Sequence, residues 1–268
     1  LSKLIKNIII TNQVMESIYH LNINGTMVGF DSTDTHSIED AVIEYMGRNI
    51  NIDIITLADS DISIYEQIKK LHQTNYKEKN AEFMTKLMKD DKYIMMKNSL
   101  IGVFSNGIFP SVITLLASQN NKIVLRTFGL DGPVIVEQLQ SFFPLMRFIS
   151  LESIWANDVN YFRNGDEIYP MSELNNLIES VDTNTHFLMK DNYDYWNKKG
   201  REASCGKCIY SAECPVFGFD DNNCMFSIGN GPVAIFKVNT IQCALDSIYL
   251  YDLVHKSGLF RKMAFVQY

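Results

Sequence analysis

The stretch "SIYHLNINGT", residues 17–26, decides the fold class. Ile18, Tyr19, Leu21 and Ile23 make a short apolar run, and the run ends on Asn24, Gly25 and Thr26, a turn signal. That is the outline of a buried parallel strand, whose C-terminal end opens on the crevice where open α/β sheets bind ligands. The outline recurs in "KIVLRTF" (122–128), "MRFISL" (146–151), "PVFGFDD" (215–221) and "VAIFKV" (233–238). Residues 110–117, 133–142, 172–181 and 241–254 instead carry apolar side chains at three- and four-residue spacing, which predicts helices. This alternation predicts α/β.

Residues 35–98 have a different character. They hold most of the local Lys and Glu, and their spacing predicts helices at 37–48, where Ser37 is a capping residue, at 63–73 and at 80–89. We read them as a helical insert in a core made of residues 14–34 and 99–268.

The chain has 268 residues, 46% of them hydrophobic, enough for a sizeable core. A net charge of −7 without a basic block argues against nucleic acid or an anionic membrane surface as a partner, since both require clustered cations. No apolar run approaches the ~20 residues that span a bilayer. Five cysteines, four of them within residues 205–224, do not make a spread disulfide framework and point to a reducing, cytoplasmic setting. The spacing of Cys205, Cys208 and Cys214 admits zinc or an iron–sulfur cluster. A structural zinc site pairs two close knuckles, however, and one close pair is present here, so ordinary thiols are the favoured reading. Gly-x-Gly-x-x-Gly, Walker and Gly-x-Ser-x-Gly motifs are absent.

Four polar features fall at or near the ends of the apolar runs: "NINGT" (22–26), Thr127, Lys207 within "CGKC", and Asp220 with Asp221. In this order they resemble the four motifs of the haloacid dehalogenase superfamily, Mg2+-dependent phosphatases and relatives on a Rossmann-like core. The resemblance runs from about residue 14 to 254. "VLRTFGLDGPVIVEQL", "YDYWNKKGREASCGK" and "FGFDDN" are similar to a little-characterised branch of that superfamily. It implies a parallel sheet with helices on both faces and a mainly helical cap, residues 35–98, between the first two motifs. It further implies a phosphate held by Gly25, Thr26, Thr127 and Lys207, and Mg2+ held through Asp220 and Asp221.

In such a site one carboxylate attacks phosphorus and a second, two residues on, moves the proton of the leaving group. Here Asn22 stands in the nucleophile position and Asn24 in the acid/base position. A neutral amide does neither task, and it weakens the hold on Mg2+. Asp31, in "DSTDT", is the alternative nucleophile. The expectation is therefore an impaired, phosphatase-like protein that binds a phosphorylated ligand or a protein partner. The alternatives are an active Mg2+-dependent phosphohydrolase using Asp31 or metal-held water, and a cysteine-based module. Trp196, in "YDYW", is placed to cover the mouth of such a site.

Overall fold

A computed structural model describes residues 17–28, 89, 91–105, 107–117, 121–222 and 224–259. The chain divides into two compact units, Leu1–Val28 with Gly107–Tyr268, and Gly29–Asn106. In the second unit the described element is helix α1 (Asp91–Ser105), with Asp91 in its first turn where a carboxylate suits the helix dipole. The rest of the expected insert, including the helices at 37–48 and 63–73, lies outside the described residues, as does Asp31.

The first unit is α/β. In chain order it comprises β1 (Ile18–Asn22), α2 (Pro110–Ala117), β2 (Lys122–Thr127), α3 (Gly132–Phe142), β3 (Arg147–Ala156), β4 (Val159–Asn164) and β5 (Glu167–Pro170). There follow α4 (Leu174–Ser180), β6 (Thr185–Lys190), α5 (Tyr193–Lys198), β7 (Lys207–Tyr210), β8 (Val216–Asp220), β9 (Met225–Ile228), β10 (Val233–Lys237), α6 (Thr240–Leu245) and α7 (Tyr249–Lys256). Eight strands form one sheet in the order β10-β8-β1-β2-β6-β3-β4-β5. From β10 to β3 all neighbours are parallel, whereas β4 and β5 join by antiparallel pairing. β7 and β9 form a separate parallel ribbon.

The sheet is covered on both faces, so its central strands are continuously buried: all five residues of β1, all six of β2 and all five of β8. One face carries Ile18, Val124, Phe187, Met189 and Val216, which pack with Leu174 and Ile178 of α4 and with Cys208, Ile209 and Met225 of the ribbon. α3 packs on β2 and β6 from the other side, burying Ile135 and Leu139. The buried Lys122 reaches the C-terminal end of α4 and donates to the Val181 and Asp182 carbonyls at 2.9 and 2.5 Å, where the helix dipole favours a cation.

All five expected strands and the helices at 110–117 and 133–142 are present, with small shifts at their ends. Two differences have local causes. The expected helix at 241–254 is two helices, because Asp246 turns its carboxylate to the Ile248 N–H at 3.1 Å and breaks the ladder. β3 runs on to Ala156 because Asn157 and Asp158, at φ 51° and 60°, make a two-residue hairpin turn into β4. β4 to β7 and β9 were not expected from the apolar runs.

His20 and His186 are buried, and burial first, then a nearby cation, lowers both pKa values: His20 well below its usual range, beside Arg126, and His186 to about 4, near Lys122. Both stay neutral in the folded chain, while an unfolded chain takes up protons below about pH 6.5. Below that point the unfolded state binds more protons, so stability falls as pH drops from about 6.5 towards about 4. Urea midpoints are therefore expected to be lower at pH 5 than at pH 7, and replacing His186 with Gln should reduce the difference.

Candidate functional site

The order of the sheet reverses at β1. The chain moves from β1 to β2 on one side and later returns to β8 on the other, so the crevice beyond the C-terminal ends of β1 and β8 is the expected ligand position in an open sheet. Asn22 is the last residue of β1, and Asp220 the last of β8. Lys207 opens β7 and reaches them from the ribbon.

These residues meet directly. The Lys207 ammonium donates to Asn22 Oδ1 at 2.5 Å and lies 3.9 Å from Asp220 Oδ1. Asn22 Nδ2 donates to Asp221 Oδ1 at 2.7 Å and to the Asn24 carbonyl at 2.8 Å. The orientation of this amide is fixed by chemistry, since an ammonium only donates and a carboxylate only accepts. Both N–H groups and the oxygen of Asn22 are thus engaged inside the protein.

Asp220 is equally committed. Its Oδ2 accepts from the Cys224 and Met225 backbone N–H groups at 2.5 and 3.2 Å, and the Cys224 thiol lies 3.4 Å from Oδ1. With its nitrogen facing Asp220, the Asn222 amide donates to both oxygens at 3.2 and 3.3 Å. Asp221, next to it, is raised above the usual carboxylate range by burial and by the Asp220 charge.

Gly25 belongs here for two reasons. Its φ of 79° suits glycine, and a Cβ would stand 2.2 Å from Asp221 Oδ2. The turn is held by Gly25 N–H to the Val28 carbonyl at 3.0 Å. Thr26 is fully buried, and its hydroxyl finds no partner among the described residues. Asn24 is exposed and contributes its backbone carbonyl to Asn22.

Thr127 ends β2, but its hydroxyl donates to Asp131 Oδ1 at 2.7 Å and accepts the Gly129 N–H at 2.8 Å. The next residue, Phe128, turns its ring to Lys207, whose Nζ is 4.8 Å from the ring centre. Trp196 of α5 stacks on Phe128, centroids 4.8 Å apart and planes at 12°. Lys207 is 1% exposed beneath this cover. Trp196, expected at the mouth of the site, lies one ring away from Lys207.

Chain composition and motif spacing gave no sign of a second buried charge pair beside these residues. Arg126 Nε and Nη2 bond both oxygens of Asp191, at 2.9 and 2.6 Å, with both side chains fully buried. Nη1 donates to the Cys208 carbonyl at 2.9 Å and lies 3.2 Å from His20 Nδ1. Because Arg only donates, His20 accepts at Nδ1 and carries its proton on Nε2. Burial opposes the Arg126 charge, while the Asp191 carboxylate raises its pKa. The clue in the sequence is Arg126 inside an apolar strand, a position where a charge needs a partner.

No family model matches this chain, and no curated protein or solved structure does. What the site can do is therefore read from its geometry.

As arranged, the residues do not fit Mg2+. A hard cation needs several free oxygen ligands, whereas the line between the ends of β1 and β8 is crossed by the Asn22 N–H bond to Asp221, and Asp220 is occupied by N–H donors. Among the described residues no three His, Cys, Asp or Glu side chains form a group able to hold a metal ion. At the cysteine cluster, Cys208 and Cys224 are buried and burial pushes both thiols up to about 12. Such thiols are protonated near neutral pH and are poor nucleophiles. Among the described residues no helix is long and apolar enough to cross a membrane.

Proposed function

We propose that this protein is a non-catalytic relative of the haloacid dehalogenase superfamily that works by binding. The observation that carries the proposal is the hydrogen-bond chain Lys207–Asn22–Asp221. In it a neutral amide takes the place of the attacking carboxylate and spends every donor and acceptor on the protein itself. An amide so placed does not displace a leaving group at phosphorus. By analogy with serine-protease triads, where breaking the catalytic unit lowers rates by roughly 10³- to 10⁶-fold, loss of the nucleophile here removes covalent catalysis. Lys207 is also matched by Asp220 and covered by Phe128, so a bare phosphate gains little charge there.

The reading is tested by hydrolysis of an aryl phosphate with and without Mg2+. No release above buffer is expected in either condition. Metal-dependent turnover abolished by Asp220→Asn or by Asp31→Asn overturns the proposal and restores the phosphohydrolase.

A further inference from the structure

Thr127, Lys190, Glu152 and Arg163 stand in one row across β2, β6, β3 and β4, each opposite the next in register. Directly paired residues project to the same face of a sheet. The row therefore sets a cation, a carboxylate and a second cation side by side at the C-terminal edge of the sheet. Arg163 Nη1 reaches Glu152 Oε2 at 3.3 Å, with both side chains about half exposed. Lys190 has no carboxylate partner among the described residues. None of these three charges takes part in the hydrogen-bond chain around Asn22.

Two residues back along their strands, Ser150 and Leu188 form the next pair on the same face. α3 starts directly above them: a Cβ on Gly132 would stand 2.7 Å from Leu188 Cδ1, so a larger residue there would have to displace the Leu188 methyls. Between the start of α3 and the charged row lies a cavity of about 420 Å³. That is within the range of small-molecule sites, and the combination of apolar walls with a few converging polar groups is what such sites share. Leu130, 82% exposed, forms its outer lip.

We propose that this cavity binds a small amphipathic anion, a carboxylate or phosphate ester carrying a short apolar or aromatic group. Lys190 and Arg163 outnumber Glu152 and supply the anion site, Arg163 as a planar fork and Lys190 as a point charge. Leu130, Pro133 and Leu188 supply the apolar wall. This inference goes beyond the non-catalytic reading and does not depend on the superfamily resemblance, because it uses none of the motif residues except Thr127 at the margin.

Calorimetric titration of the full chain with phenylacetate, phenyl phosphate, inorganic phosphate and benzyl alcohol tests it. At least one of the first two should bind, and which of them does identifies the anion. Inorganic phosphate and benzyl alcohol should each bind at least about 10-fold more weakly, since each lacks half of the recognition. Ser150→Trp, at an exposed position, should fill the cavity and abolish binding. Lys190→Glu, on the surface, should weaken it by about 10-fold or more while circular dichroism stays unchanged. The proposal fails if neither amphipathic anion binds, if inorganic phosphate binds as well as they do, or if binding survives both variants.

Discussion

Arg126→Met is expected to destabilise the protein by about 3–5 kcal/mol, the range for removing one member of a buried ion pair. The loss comes less from the missing attraction than from the charge left behind. Asp191 is 2% exposed and would keep a carboxylate with no cation beside it. The guanidinium also ties three strands together, since it sits on β2, bonds the Asp191 carboxylate just beyond β6, and reaches the Cys208 carbonyl on β7. Denaturant unfolding measures the effect. Arg126→Met combined with Asp191→Leu is expected to recover much of the loss, because an apolar pair of similar volume removes the uncompensated charge. If the double variant were as unstable as the single one, the pair's worth would lie in its packing and not in its charge.

Asn22→Leu is expected to cost about 3 kcal/mol, which places Asn22 among the structural supports of the fold. The substitution keeps the volume but breaks the bridge, leaving the buried Lys207 ammonium without its 2.5 Å acceptor and the Asp221 carboxylate without its 2.7 Å donor. Each buried polar group that loses its partner costs about 1–3 kcal/mol, and charged groups cost more. Asp221 is only partly buried and recovers some of this from water. An unfolding midpoint equal to that of the unmodified chain would mean that the hydrogen bonds of this amide have no energetic weight, and the non-catalytic proposal would lose its main support.

Much of this arrangement was legible from residue order. Five apolar runs ending in polar turns marked the parallel strands, because a strand buried on both faces must be apolar throughout and must stop where the backbone returns to solvent. Two of these ends marked Asn22 and Asp221, and the motif order of the resemblance added Lys207; Asn22 is hydrogen-bonded to both of the others. The antiparallel extension β4–β5 was harder to see, although Asn157-Asp158 and Asn164-Gly165 are hairpin signals, because its strands are half exposed and lack a continuous apolar run. The Arg126–Asp191 pair lies 65 positions apart in the chain, and the cross-strand row from Thr127 to Arg163 exists only once strand register is known. Sequence spacing carries no information about register between strands that are distant in the chain. The engagement of Thr127 with Asp131 was equally hidden, since a threonine at a strand end looks the same whether its hydroxyl faces a ligand or a neighbouring carboxylate.

The aromatic cover over Lys207 has a spectroscopic consequence. The chain holds two tryptophans, and each is stacked within one corner of the fold: Trp196 on Phe128, and Trp155 on Tyr195, 4.5 Å away and 8° from parallel. Trp196 and Tyr195 are adjacent in α5, so both indoles report on the same short helix. The intrinsic fluorescence of the protein is therefore a built-in gauge of whether α5 is seated. Emission and quenching will respond to displacement of that six-residue segment, which removes the stacking partner of Trp155 on β3 and moves Trp196 off Phe128.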